Sequence, residues 1–170
     1  EVQDLMSLLE YYLKTEIDEL KNIGVRFRVI GDRKNLAQKI VTLITNSEVK
    51  TKTNSVLNLT IALNYGGRAE IVDTAKKIAI DYYQGKINIK DIDEELFSSR
   101  VYAPDIPDPD LVIRTSGEKR ISNFLLWQVA YAELVFVETL WPDFSEVDFK
   151  QSISEYNGRE RRYGGSSRWP

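Results

Sequence analysis

The 170-residue sequence predicts an α/β fold with a mainly parallel sheet flanked by helices on both faces. Two observations lead there. Strand-like and helix-like apolar patterns alternate along the chain, as right-handed β-α-β units require. At 42% apolar residues the chain can also fill a core of ordinary size, so one domain over residues 1–170 is expected.

Taken in order, Val2, Leu5, Met6, Leu9, Tyr12, Leu13, Ile17 and Leu20 recur at three- and four-residue spacing and predict one amphipathic helix, with a stop at Asn22 to Gly24. VRFRVIG alternates as a strand, with Val25, Phe27 and Val29 on one face. A second helix is expected from about Asn35 to Val49, and the turn-rich KTKTNS then leads into the strand VLNLTIAL. NYGGR is a glycine turn opening a helix whose apolar face would hold Ile71, Val72, Ala75, Ile78, Ala79 and Tyr82. Asp91 to Glu95 suit a solvated helix start. After the proline-spaced APDIPDPD come a strand DLVI, a buried helix from about Ser122 through FLLWQVAYA, a short strand LVFV and a last helix begun by WPDFSEVDF.

Composition removes several chemistries. With no histidine and no cysteine in the chain, imidazole bases, thiol nucleophiles, thiolate metal sites and disulfides are excluded. A net charge of −3 argues against a dedicated nucleic-acid binder, so any anion site must be local. No apolar run approaches the ~20 residues needed to span a bilayer, and no signal peptide is recognisable. The first residues read as the middle of a helix, which suggests a cut start.

In parallel α/β sheets ligands gather at the carboxyl ends of strands. Two loops leave strands there with unusual chemistry, NYGGR and RTSGEKRIS, and they are expected to share one rim. In the second, Arg114 and Arg120 could grip phosphoryl oxygens bidentately, with Ser122 adding a hydroxyl at a helix start. The plainer alternative pairs Arg114 with Glu118, leaves Arg120 solvated and makes Ser122 a helix cap. The loop lacks the G-x-x-x-x-G-K-[ST] pattern of a nucleotide P-loop. Glu133, expected near the same rim, is either a Mg2+ ligand or the ion-pair partner of Arg114 or Arg120. Asn64, Gly66, Gly67 and Arg68 could present amides and a guanidinium to an anion, or form only a tight turn. Asp105, Asp108 and Asp110 are held apart by prolines, and a metal cluster there is disfavoured.

NYGGR at 64–68, PDLVIRTSGEKRISNFLLWQVAYAEL at 109–134, LWPDF at 140–144 and RERRYGG at 159–165 together resemble the cis-prenyltransferases, the family of undecaprenyl diphosphate synthase and other isoprenyl transferases. The resemblance implies an enzyme that condenses isopentenyl diphosphate onto an allylic diphosphate primer such as farnesyl diphosphate, with Mg2+ as cofactor. It implies that Arg114, Arg120, Ile121 and Ser122 bind isopentenyl diphosphate and that Glu133 is a Mg2+ ligand. Asn64 and Arg68 would contribute to substrate binding, Val25 and Leu57 would line a tunnel for the growing chain, and Arg162 and Gly164 would reach the partner's site in a homodimer. It further implies a cytoplasmic protein and allows peripheral membrane contact for product release. No DDxxD pair occurs, so the trans-prenyltransferase mechanism is not suggested. The family's Asp-Gly-Asn-Gly-Arg-Trp loop, which would supply the catalytic Asp and the allylic-diphosphate site, does not occur either, so these 170 residues alone are expected to be inactive. Two other readings stand beside this one: a non-catalytic partner subunit, and a general diphosphate-binding module.

Overall fold

The computed structural model describes residues 2–159. The chain divides into two compact units, Glu1–Asp105 and Ile106–Pro170.

In the first unit, helix α1 spans Val2–Thr15 and α2 spans Ile17–Asn22, where the apolar pattern predicts one continuous helix. The interruption at Glu16 (φ −98°, ψ −14°) is slight, because Glu16 N still donates to Tyr12 O and Leu20 N to Glu16 O. The apolar stripe therefore carries through the break, and Leu13 and Ile17 are both buried. Strand β1, Val25–Ile30, pairs in parallel with β2, Leu57–Ala62, from Val25↔Leu57 to Ile30↔Ala62. Helix α3, Gln38–Thr51, makes the connection between them. Along β1 burial alternates as the side-chain period demands: Val25, Phe27 and Val29 face inward, and Phe27 and Val29 meet Leu13, Ile17, Ile40 and Ile44 in the core. Burying each such side chain contributes about 1.5–3 kcal/mol. Thr51 ties α3 to the ladder, its buried Oγ1 donating to Ser47 O at 2.9 Å and accepting from Phe27 N at 3.0 Å.

Gly31 turns out of β1 at φ +118°, so close to the next strand's end that a Cβ would collide with the Leu63 carbonyl oxygen. Helix α4 spans Gly67–Tyr83, but its buried stripe is Gly67, Glu70, Thr74 and Ile78. The predicted apolar face is largely out in solvent, with Val72 and Tyr82 about half exposed. Hydrogen bonds explain the rotation, since Glu70 and Thr74 both find partners on the inner side. A short helix α5, Glu94–Ser98, is capped by Asp93, whose carboxylate accepts from Leu96 N at 2.8 Å. Asp105 forms a bidentate pair with Arg28 at 2.6 and 2.8 Å.

In the second unit, β3 (Leu111–Arg114) pairs in parallel with β4 (Glu133–Phe136), from Leu111↔Glu133 to Arg114↔Phe136. The pairing runs on past the strand ends: Val137 N donates to Arg114 O, Gly117 N to Val137 O and Ser116 N to Thr139 O, at 2.8–3.0 Å. Between the strands the predicted helix from Ser122 is absent, and the segment is a run of turns. Ser122, Asn123 and Leu125 hold left-handed φ values of +50°, +64° and +45°, which no right-handed helix can include. Helix α6, Glu146–Asn157, opens with a capping box, in which Ser145 Oγ accepts from Asp148 N and Asp148 Oδ2 accepts from Ser145 N.

Candidate functional site

The loop leaving β3 encloses a pocket of about 440 Å3. Arg114, Thr115, Ser116, Glu118 and Arg120 supply its polar side, while Val112, Ile113, Ile121, Phe124, Leu134 and Phe136 supply apolar wall. Three of the four residues expected to bind the anion, Arg114, Arg120 and Ile121, thus line one cavity. Ser122 is the next residue along, and is exposed.

The ion pair drawn between Arg114 and Glu118 in the plainer reading is not the one formed. Arg120, not Arg114, pairs with Glu118, two residues away, and 63% of its side chain remains exposed. Arg114 makes no salt bridge among the described residues. The backbone contributes less than a helix start would: the amides of Ser116 and Gly117 are consumed by Thr139 and Val137 carbonyls, and Ser122 does not cap a helix. An anion in this pocket would therefore be held by guanidiniums and hydroxyls. Glu138 presses on the loop from the side, its carboxylate lying where a Cβ on Gly117 (φ +66°) would go.

Glu133 is not the ion-pair partner of Arg114 or Arg120. It opens β4 opposite Leu111, whereas Arg114 ends β3 opposite Phe136, so the two occupy opposite ends of the ladder, three residues or ~10 Å apart along the strand direction. Its partner is neither Arg114 nor Arg120 but Arg159, whose Nη1 donates to Glu133 Oε2 at 2.8 Å while Nη2 donates to Glu155. Those two carboxylates hold the Arg159 guanidinium in its charged form, above the ordinary arginine range.

At the carboxyl end of the β1–β2 ladder, Asn64 stands in the left-handed region (φ +49°) and donates from Nδ2 to Asp32 O at 2.8 Å. It borders an apolar cavity of about 330 Å3 lined by Met6, Leu36, Ala37, Ile40 and Leu63. Arg68 lies exposed in the first turn of α4. Val25 and Leu57 are register partners at the other end of that ladder, one buried and the other 57% exposed. Arg162 and Gly164 lie outside the described residues.

The sequence gives no cue to Glu70, which reads as an ordinary acid in a helix's first turn. It is 1% exposed, accepting from Tyr65 Oη and, at 2.6 Å, from Tyr102 N. Tyr102 in turn packs edge-on against Tyr65 and donates to Asp73 at 2.8 Å. Burial, with help from Asp73, pushes the Tyr102 hydroxyl well above the usual tyrosine range. The loop carrying Asn64 and Arg68 is thereby fastened from beneath. Among the described residues no three carboxylates gather into a metal site.

Parallel strand pairs with accompanying helices, and an arginine-bearing loop beside an apolar-walled pocket at a strand's carboxyl end, define an α/β protein. The family model for undecaprenyl diphosphate synthase matches residues 1–164, and the chain belongs to that prenyltransferase family. An isoprenyl transferase of Prochlorococcus marinus is 49% identical over 165 residues, which are 97% of this chain and 61% of that protein. A ditrans,polycis-undecaprenyl-diphosphate synthase, farnesyl-diphosphate specific, of Xanthomonas axonopodis is 48% identical over 167 residues, covering 98% of this chain and 65% of that protein. The crystal structure of lavandulyl diphosphate synthase from Lavandula x intermedia, in complex with dimethylallyl diphosphate, superposes with a TM-score of 0.92 at 35% identity, covering 96% of this chain and 71% of the other. The chain spans about three fifths to two thirds of the length of the curated relatives it matches. A phosphate-binding module unrelated to prenyl chemistry is not favoured by these matches. No helix among the described residues is long and apolar enough to cross a membrane.

Proposed function

We propose that this chain carries the isopentenyl-diphosphate part of a cis-prenyltransferase, which lengthens an allylic diphosphate such as farnesyl diphosphate into a polyprenyl diphosphate. The pocket behind β3 is the observation that carries this reading. Its arginines suit a diphosphate, and Ile113, Ile121, Phe124 and Leu134 suit a five-carbon tail held away from water. In the condensation a carbon–carbon bond forms to the allylic carbon, the allylic diphosphate leaves with the bonding electrons, and a proton is lost from the isopentenyl unit. The work of Arg114, Arg120 and the Ser122 hydroxyl is to hold the isopentenyl diphosphate still while its double bond attacks. Glu118 orients Arg120 until the diphosphate takes its place.

Asn64 and Arg68 belong to the second loop of this reading, and Val25 and Leu57 to the apolar face along which the product grows. A homodimer in which Arg162 and Gly164 serve the partner's site belongs to it as well. Mg2+ would supply charge neutralisation at the diphosphate oxygens, with Glu133 as this chain's ligand. Glu133 alone does not complete a Mg2+ site, since no three carboxylates gather among the described residues and the ion would need phosphate and water oxygens besides this one.

The test is Arg120→Ala, which removes an exposed side chain and should leave the fold intact. Loss of a charge-assisted contact predicts about 10- to 100-fold weaker isopentenyl diphosphate binding. Calorimetric titration reads this directly, and an unchanged dissociation constant would refute the assignment.

A further inference from the structure

Helix α6 packs against β4 and is fastened to it at both ends. At one end Arg159, just past the helix, pairs with Glu133 at the start of the strand. At the other, Asp148 in the first turn of α6 accepts from Thr139 Oγ1 at 3.1 Å, just beyond the end of β4. The two oxygens of Asp148 divide their work: Oδ1 takes the Thr139 hydroxyl, while Oδ2 takes Ser145 N at 2.8 Å and the Ser145 hydroxyl within the capping box. The cap is therefore complete without Thr139. What Thr139 holds on its other side is the anion loop. Ser116 N donates to Thr139 O at 2.8 Å, Gly117 N donates to Val137 O at 3.0 Å, and the Glu138 carboxylate fills the space beside the Gly117 α-carbon. Residues 137–139 thus form the bed on which the loop lies. The loop needs one, because Ser116 (φ +68°) and Gly117 (φ +66°) are successive left-handed residues, and a serine keeps that conformation only where its surroundings impose it.

We propose that Thr139 and Asp148 are positioning residues for the pocket's anion: their hydrogen bond pins the 137–139 segment to α6, and the pinned segment holds the arginine loop in the shape that receives a diphosphate. The proposal rests on the reading of this pocket as the isopentenyl-diphosphate site. Neither side chain lines the cavity, whereas Thr115, Ser116, Glu118 and Arg120 of the loop do. The bond therefore acts through the loop, raising affinity because less ordering is left for the ligand to impose. Its acceptor is a charged carboxylate at neutral pH, held below the ordinary aspartate range first by the Ser145 hydroxyl, with Thr139 contributing. A bond to such a group is stronger than one between neutral partners.

The test is calorimetric titration of the full chain with isopentenyl diphosphate, with the melting temperature of each variant measured alongside. Thr139→Val keeps the side chain's shape and removes its hydroxyl, and should weaken binding about three- to tenfold, the range of one hydrogen bond. Thr139→Ser, which keeps the hydroxyl, should bind as the native chain does. Ser145→Ala removes the cap but leaves the Thr139 bond, so it should lower the melting temperature and leave affinity unchanged. Asp148→Ala loses both, and should weaken binding by the same factor as Thr139→Val, with no further loss in the double variant. Amide exchange at Ser116 and Gly117 should quicken in Thr139→Val and not in Ser145→Ala. An unchanged dissociation constant in Thr139→Val overturns the proposal, and so does a loss of affinity in Ser145→Ala that tracks its loss of stability, since the effect would then be general loosening. Should Thr139→Val not fold, Asp148→Ala against Ser145→Ala decides, and equal affinities overturn the proposal. If Arg120→Ala weakens binding and Thr139→Val does not, the brace falls and the reading of the pocket survives. If the native chain binds no isopentenyl diphosphate, or neither variant alters its binding, both fall.

Discussion

Strands β1 and β3 both lead into loops at the carboxyl ends of parallel ladders, yet their surroundings differ sharply. Along β1 every second residue is buried to 5% exposure or less, under α1, α2 and α3. Along β3 all four residues are half-buried, and the side chains at its end open into a cavity. The charges differ in the same sense. In the first unit Arg28 grips Asp105 and Arg33 grips Glu48, each by two nitrogens. In the second, Arg114 makes no ion pair among the described residues, and Arg120 holds only a near neighbour in the chain. Where packing and ion pairs saturate the side chains, the residues serve to fix geometry; where they are left half-satisfied, the same residue types are available to a ligand.

Substitutions should therefore separate into those that unfold and those that unbind. The largest effect is expected for Ile44→Ala, which empties a fully buried core position and should cost about 2–5 kcal/mol in chemical denaturation, leaving diphosphate affinity of the folded chain unchanged. Next comes Glu70→Gln, which removes a buried charge that accepts from Tyr102 N and turns an amide NH2 toward the Tyr65 hydroxyl, which must then switch from donor to acceptor. A loss of about 1–3 kcal/mol is expected from denaturant midpoints, and a neutral result would mean the network is not formed. Gly117→Ala should cost about 1–2 kcal/mol for a left-handed alanine. Because Glu138 must also move, its larger consequence should be on isopentenyl diphosphate affinity, the reverse of Ile44→Ala.

The smallest effect is a pH dependence. Hydrogen bonds from Arg28 hold the Asp105 carboxyl at about 2, below its ordinary value of 3.8. A depressed acid stabilises the fold fully above its unfolded pKa and loses that contribution as pH falls toward the folded one. The stability difference between the native chain and Asp105→Asn should thus be constant above pH ~4 and vanish near pH ~2. Because Asp105 is more than half exposed, it should not exceed about 1 kcal/mol. Melting curves across that range that stayed parallel would count against the pair.

The contrast also explains what could be read from the sequence. β1 was readable because alternation and burial agree there. The pocket's arginines were readable because cations between two apolar runs are unusual. The segment after Ser122 was not: nine nearly continuous apolar residues carry no periodicity to separate a helix from turns, and the left-handed residues are not glycine. α4 misled for the opposite reason, since its inward stripe is polar and only the tyrosine and amide partners reveal why. The pairing of Glu133 with Arg159 spans 26 residues and leaves no local pattern at all.

The bare α-carbon of Gly31, seated against the Leu63 carbonyl, bears on how the chain avoids misassembly. Sliding β1 by one residue along β2 would bring Ile30 or Asp32 to that spot, where there is room for hydrogen alone. A slipped register would therefore press a side chain into the Leu63 carbonyl, so this one glycine helps to fix how the two strands align.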